Sequence, residues 1–246
     1  MTKKYLVLLF LSVLGSAQEM KQNEANWFAY MGHYNVSKKW GYHIEAQFRL
    51  DNELSRNNEN LFRLGVFYNL NSKTTVTVGY GLANTLEPTL NDYFHENRIW
   101  EQLQYSHTWN NKKNVFTNRF RLEQRFVDAI AMVNGLVEKT EMNYQNRFRY
   151  LNRHTFHLTN FKSGNEELYF VVQDEVFLNL GNNKVNNTFF DQNRFLIGVG
   201  FNYKNSIQFE VTYLNQLLNS STVNDSTNHI VSLTLYQNLI LYKEKK

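Results

Sequence analysis

Apolar and polar residues alternate along most of the chain with a period of two, which is the spacing of a β-strand with two different faces. In residues 40–50, Trp40 and Ile44 share one face with other apolar residues, and His43 and Glu45 lie on the opposite face. The pattern predicts eleven strands. They lie at about 27–36, 40–50, 61–70, 74–83, 96–109, 115–127, 141–151, 167–180, 192–203, 206–217 and 229–241. Residues 152–161 are ambiguous and are expected to extend the seventh strand or to form another.

The connections between these strands alternate in length. Short ones are predicted at 37–39, 71–73, 110–114 and 204–205, and long polar ones at 51–60, 84–95, 128–140, 181–191 and 218–228. Outer-membrane barrels have short turns at the periplasmic end and long loops at the outer end. The fold class we predict is therefore all-β, an antiparallel up-and-down transmembrane β-barrel of ten to twelve strands.

The N-terminus has the order of a secretory signal. Lys3 and Lys4 precede a ten-residue apolar run, and the small residues at 15–17 precede Gln18. That run is shorter than the roughly 20 residues that a membrane-spanning helix requires. We expect residues 1–17 to be a cleaved signal peptide and residues 18–246 to form one barrel domain in the cell outer membrane of a Gram-negative bacterium.

The stretch "RFRLEQRF" at 119–126 interleaves arginine with phenylalanine, as some nucleic-acid-binding strands do. The charge argues against that function. Removing the signal takes 2 of the 26 basic residues and none of the 22 acidic ones, which leaves 24 − 22 = +2. An exported chain that is so nearly neutral is not expected to bind nucleic acid.

Lysine and arginine occupy different parts of this pattern. The lysines of the mature chain fall in predicted turns, loops and termini, whereas arginines fall inside strands, opposite an almost uncharged face rich in Phe, Tyr, Leu, Val and Ile. An arginine facing lipid at mid-depth costs roughly 2–4 kcal/mol, so we expect lipid on the apolar face and an enclosed lumen on the arginine face. Glu101 and Asp174 fall on the apolar face, where a bulge or a position at the membrane edge would accommodate them.

The predicted lumen carries arginines and carboxylates at similar heights, and Glu45, Glu96 and Glu141 are among these carboxylates. The candidate network comprises Arg49, Arg63, Arg98, Arg119, Arg121, Glu123, Arg125, Arg147, Arg149, Glu175, Arg194 and Glu210. Arg98, Arg147 and Arg194 each follow an asparagine where a long loop enters a strand, so they are expected near the outer mouth with Arg49, Arg121 and Arg125. Two interpretations remain open: a basic constriction that selects anions or holds a lipid phosphate, and an ion-paired network that fills a narrow lumen.

An odd number of strands raises a topological question, because both chain ends of bacterial outer-membrane barrels normally lie in the periplasm, which requires an even number of strands. A strand missed in 18–26 or 152–161 would restore an even number. An N-terminal segment inside the lumen is the other solution considered.

The chain resembles a family of bacterial outer-membrane barrels known only as a domain of unknown function and common in Bacteroidota. The resemblance rests on an ordered set of short segments that spans nearly the whole mature chain. They are Trp27, "KKWGYHIEAQFR" (38–49), "FRLGVFYNL" (62–70), "ENRIWEQL" (96–103), "RFRLEQR" (119–125), "NRFRY" (146–150), "DEVFLNL" (174–180), "DQNRFLIGVGF" (191–201) and "YLNQ" (213–216). It implies the fold and the location, and it brings no activity and no catalytic residues.

Catalysis is not expected. Ser106 and His107 are neighbours on opposite faces, and His157 and Thr159 share a face without an evident acid partner. We predict no cofactor and no metal site, and a structural barrel or a narrow, porin-like, anion-preferring channel. A lipase- or deacylase-type enzyme of the outer membrane and a periplasmic lipid-binding barrel are the alternatives.

The partners we expect are the outer-membrane bilayer with its lipopolysaccharide, and the barrel-assembly machinery during insertion. We expect the barrel to be a monomer. Trp40 and Trp109 sit beside short turns, where an aromatic girdle belongs. Gly79, Gly81, Gly198 and Gly200 are expected to face inward.

Overall fold

The computed structural model describes residues 20–51, 53–110, 113–161, 166–182, 184–204, 206–220 and 225–243. Within these ranges the chain is all-β and has eleven strands, as the alternation predicts. Their bounds are β1 Lys21–Asn35, β2 Trp40–Asp51, β3 Arg56–Asn69, β4 Thr74–Glu87, β5 Asp92–Trp109, β6 Asn114–Val133, β7 Leu136–Asn160, β8 Glu166–Leu180, β9 Phe190–Tyr203, β10 Ile207–Leu218 and β11 Ser226–Ile240. The predicted signal peptide, residues 1–17, lies outside the described residues.

The strands form a closed barrel in which each one pairs antiparallel with its neighbours in sequence. β1 and β11 close the barrel as a parallel pair, from Lys21 opposite Ser226 to Asn35 opposite Ile240. An up-and-down barrel with an odd number of strands requires one such pair, because its first and last strands run in the same direction. Residues 21–26 belong to β1 and residues 152–160 extend β7, so neither stretch supplies a twelfth strand.

The two ends of the barrel differ less than the sequence pattern predicts. The turn end holds the connections 36–39, 70–73, 110–113, 161–165 and 204–206, and the loop end holds 52–55, 88–91, 134–135, 181–189 and 219–225. The prediction of long loops is wrong for the first three of the loop-end connections, because the strands continue through their polar residues. β6 and β7 are joined by Asn134 and Gly135 alone, at φ of 50° and 84°, as in a two-residue hairpin turn.

The two faces of the wall have opposite polarity. Outward side chains such as Leu64, Val78 and Val211 are 63%, 55% and 53% exposed, whereas the inward Glu45 and Arg63 are each 3% exposed. This assignment of apolar side chains to the outside and arginines to the inside agrees with the alternation. Aromatic pairs lie on the outer wall near the turn end, among them Trp40 with Tyr68 and Trp109 with Phe156.

Glycines in the wall make room for large side chains inside the barrel. The indole of Trp100 is fully buried against Gly65 and Gly79, and a Cβ on Gly79 would lie 2.5 Å from the indole and 2.3 Å from the carbonyl oxygen of Leu64. Gly200 leaves the same kind of space for the ring of Tyr169. The prediction that Gly79, Gly81, Gly198 and Gly200 face inward is confirmed by the side chains that each would touch.

One sector of the interior is apolar. Val171, Leu196, Leu214 and Ile230 pack together inside β8–β11, and Ala25 and Trp27 of β1 pack against them. The rest of the interior is mainly polar and charged, with the buried rings of Trp100 and Phe177 lying among the arginines. Side chains therefore fill the interior of the described barrel, and they divide it into an apolar sector and a larger ionic sector.

Candidate functional site: the ionic network inside the barrel

All twelve residues predicted for the lumen point into the barrel, and most are buried. Glu123 lies at the centre of the network and is fully buried. Its carboxylate accepts hydrogen bonds from Arg147 Nη2 at 2.8 Å, from Arg149 Nη1 at 2.7 Å and from Arg63 Nη2 at 3.2 Å. The carboxylate therefore ties β6 to β7 on one side and to β3 across the lumen.

Two other buried carboxylates, those of Glu96 and Glu175, are also shared between guanidinium groups. Glu96 binds Arg98 and Arg125, each through two nitrogens at 2.5–2.9 Å. Glu175 accepts from Arg119 at 2.7 Å and from Arg149 at 2.8 and 3.0 Å. Arginine suits this arrangement because its planar fork binds carboxylates through two parallel hydrogen bonds.

Glu45 and Glu210 form the two margins of the network. Glu45 accepts from Arg63 at 2.5 Å and from Gln47 at 2.6 Å, and His43 Nε2 lies 3.2 Å from it. Glu210 pairs with Arg153 and accepts hydrogen bonds from the hydroxyls of Tyr169 at 2.8 Å and Tyr236 at 3.2 Å.

Sequence reasoning missed three members of the network. Arg153 lies in the stretch left ambiguous, and Glu59 and Asp191 fall in stretches assigned to long loops. Glu59 pairs with Arg49, and Asp191 lies 3.2 Å from Arg147. Extending each strand by its alternation would have found Arg153, since it shares parity with Arg147 and Arg149.

Aromatic rings separate the guanidinium groups. The guanidinium of Arg121 lies 4.7 Å from the ring of Trp100, and those of Arg147, Arg149 and Arg194 lie 5.3, 4.4 and 4.7 Å from the ring of Phe177. Stacking of this kind is favourable for arginine when the ring is shielded from water. Charged groups and ring faces together occupy the centre of the described barrel, where Glu123, Trp100 and Phe177 have no exposed surface.

Among the described residues the network contains more positive than negative side chains. Its members are Arg49, Arg63, Arg98, Arg119, Arg121, Arg125, Arg147, Arg149, Arg153 and Arg194 against Glu45, Glu59, Glu96, Glu123, Glu175, Asp191 and Glu210. Ten arginines against seven carboxylates give 10 − 7 = +3. No described lysine takes part: Lys21 and Lys139 are strand residues, contrary to the prediction, but both are exposed.

The depth predicted for one arginine is wrong. Arg121 was expected at the outer mouth, but its Nε and Nη2 donate to Gln102, which lines a cavity at the turn end. This cavity has a volume of about 240 Å³, and its polar lining includes Asn35, Asn69 and Gln104. The pairing of β5 with β6 sets this depth, because it places Gln102 opposite Arg121.

The two acidic residues on the outer wall are accommodated by neighbouring amides. Gln124 donates to Glu101 at 3.2 Å, and Asn193 donates to Asp174 at 2.7 Å. The bulge considered for them is absent, since the register shifts of the described strands lie elsewhere.

The candidate catalytic pairs are not assembled into a site. Ser106 Oγ lies 3.1 Å from Thr117 Oγ1. His157 does have an acid partner, Glu167 at 2.8 Å, which the sequence did not reveal. A register shift between His157 and Thr159 separates the two residues that were expected to share a face. Within the described ranges, no group of three His, Asp or Glu side chains is arranged to hold a metal ion, and no helix could cross a membrane.

Comparison with known proteins identifies the family of the chain. The sequence pattern of a family described as a protein of unknown function (DUF2490) matches residues 24–227, which is most of the chain. No curated protein and no solved structure matches this chain.

Proposed function

We propose that this chain, which belongs to the family DUF2490, is an integral β-barrel protein of the bacterial outer membrane. In this proposal ion pairs close the interior of the barrel. The observation that carries the proposal is the polarity of the wall. Exposed Leu, Val, Ile and Phe side chains cover the outside, and the buried ionic network fills the inside.

The energy of arginine in different surroundings supports this assignment. Facing the hydrocarbon, each arginine would cost roughly 2–4 kcal/mol, and ten of them would prevent insertion. Inside the barrel they are paired with carboxylates and stacked on rings. A soluble lipid carrier needs the reverse arrangement, with an apolar interior large enough for an acyl chain.

The filled interior favours a structural barrel over an open pore. Glu123, Trp100 and Phe177 have no exposed surface, and they lie between the turn-end cavity and the loop end. A narrow, anion-preferring channel is the second candidate, and the excess of three arginines over carboxylates favours it. It would require the network to rearrange during conduction.

The membrane location is tested with single cysteines, since the chain has none of its own. A fluorophore on Leu64→Cys, on the outer wall, is expected to be quenched by brominated lipids. The same label on Thr89→Cys, in the connection 88–91, is the matched control and should not be quenched. A chain that fractionates as a soluble periplasmic protein, with neither label quenched, would refute the proposal.

Conductance across a planar bilayer separates the two candidates. The structural barrel predicts no current steps from inserted wild-type protein. Small steps with a higher permeability for anions than for cations would instead support the narrow channel.

A further inference from the structure

Arg194 differs from the other arginines of the network in having no acidic partner. No carboxylate of the described residues lies within 4 Å of it, and its one hydrogen bond is donated by Nε to Gln192 Oε1 at 3.0 Å. That acceptor is already shared, because Gln216 Nε2 donates to the same oxygen at 2.6 Å. The two terminal nitrogens of Arg194 have no hydrogen-bond acceptor among the described residues.

The surroundings of Arg194 are positive. Its guanidinium lies 4.9 Å from the ring of Trp27, which also carries Arg49 at 4.2 Å. The charges that act on it most strongly are those of Arg49 and Arg149, and Glu175 opposes them only in part. A further buried donor faces the same ring: Arg49 Nε has no partner, although the Arg49 side chain is only 10% exposed.

The uncharged neighbours of Arg194 are amides that cannot neutralise it. Asn23 donates to Asn228 at 2.9 Å, Asn228 to Gln216 at 3.0 Å, and Gln216 to Gln192. The chain of hydrogen bonds therefore runs across β1, β11, β10 and β9 and ends at the oxygen that Arg194 uses. Arg194 is half-buried and its unpartnered terminal nitrogens remain accessible, so a dissolved anion can reach them and offset the surrounding positive charge.

We propose that a small oxyanion, a carboxylate or a phosphate, binds inside the loop end of the barrel against the terminal nitrogens of Arg194, with Arg49 contributing charge. The end of a guanidinium group presents two parallel N–H bonds, which match two oxygens of such an anion. The rings of Trp27 and Phe177 lie 4.9 and 4.7 Å from the guanidinium and restrict its movement. The site lies in the interior that the barrel wall encloses, so the ligand is a dissolved anion and not a lipid headgroup. This inference does not depend on the membrane location.

The experiment uses the full barrel in a neutral detergent and adds sodium phosphate in steps. The salt of a bulky, weakly binding anion is reduced in parallel so that the ionic strength stays constant. Wild-type protein is expected to show a saturable change in tryptophan fluorescence, because Trp27 stacks on Arg194, and a melting temperature that rises with phosphate. Ligand binding to the folded state raises stability in this way. Arg194→Gln should raise the half-saturating phosphate concentration at least about tenfold, which corresponds to a loss of about 1.4 kcal/mol of binding free energy.

The matched control is Arg56→Gln. Arg56 is exposed at the same end of the barrel and pairs with Asp51, so its removal changes the net charge equally and should leave the phosphate response intact. Crystals of the wild-type protein soaked in bromide give a second readout that needs no variant, with an anomalous peak expected beside the Arg194 guanidinium.

The proposal would be overturned by a wild-type protein without a saturable response, by an Arg194→Gln protein that responds like the wild type, or by a response that appears only when anionic lipid is added to the detergent. A wild-type response that Arg56→Gln abolishes to the same extent as Arg194→Gln would assign the effect to net charge and would also overturn it.

Discussion

Replacing Glu123 by Gln removes the carboxylate on which the network converges while keeping its shape. In the wild type this fully buried group accepts hydrogen bonds from Arg63, Arg147 and Arg149. The variant raises the excess of interior arginines over carboxylates from 10 − 7 = 3 to 10 − 6 = 4. Removing one partner of a buried ion pair costs about 3–5 kcal/mol, because the other charge is left uncompensated. In the variant, Arg147 is still paired with Asp191 and Arg149 with Glu175. We therefore expect the free energy of unfolding to fall by the cost of one broken pair and not by the cost of three.

Reversible urea unfolding in lipid vesicles, followed by tryptophan fluorescence and by the heat-dependent gel shift, measures that loss. Glu141→Gln is the control, since Glu141 also pairs with a cation, Lys184, but is 49% exposed. An exposed ion pair contributes about 0–1 kcal/mol. If Glu123→Gln loses no more than Glu141→Gln, the network does not stabilise the barrel, and the reasoning from buried charge fails.

Three further perturbations test the wall, the outer face and the loop end. Gly79→Ala should lower the free energy of unfolding by about 1–3 kcal/mol, because its Cβ meets backbone and the fixed indole of Trp100. Gly81→Ala, where the nearest atom is the flexible Arg63 side chain at 3.1 Å, should cost clearly less, and equal losses in urea titrations would contradict the packing argument. Leu64→Arg should lower the free energy of unfolding in a bilayer by about 2–4 kcal/mol, and Thr89→Arg should leave it almost unchanged. Equal small losses would show that the outer wall faces water. At the loop end, the hydrogen bond and then the charge of Lys184 lower the pKa of the Glu141 carboxyl below its ordinary value. A lowered folded-state pKa means that the link stabilises above the ordinary pKa and is lost as pH falls through the folded value. Hydrogen exchange in the Asn134–Gly135 hairpin, corrected for intrinsic rates, should therefore rise on acidification in the wild type and stay unchanged in Glu141→Gln.

The period of two was sufficient to predict the strands and the polarity of the wall, because side-chain direction in a strand is a local property. It did not predict the strand ends at the loop end, since polar residues there continue the strands. The clearest missed signal was Asn134-Gly135, a dipeptide strongly favoured in two-residue hairpins. Reading it as a turn would have shortened the predicted loop 128–140 to its observed two residues.

The ion pairs that cross the lumen could not be predicted from the sequence. Arg63 pairs with Glu123 from 60 residues away, and Arg153 pairs with Glu210 from 57 residues away. Neither pair joins neighbouring strands, so the partners meet only because the sheet closes across the lumen. Closure depends on strand number and on the parallel pairing of β1 with β11, which local patterns do not specify.

The division of the interior explains why Arg194 in particular has no carboxylate. It lies on β9, where the larger part of the ionic network, on β2–β8, meets the apolar cluster of Leu196, Leu214 and Ile230. On the network side, Glu175 is already committed to Arg119 and Arg149. On the other side, β10 and β11 carry the amides Gln216 and Asn228 at the level of Arg194 and no carboxylate there. An additional carboxylate at either position would neutralise Arg194 directly, so Gln216→Glu is expected to abolish the phosphate response without removing the arginine. Retention of that response in Gln216→Glu would show that the anion binds elsewhere.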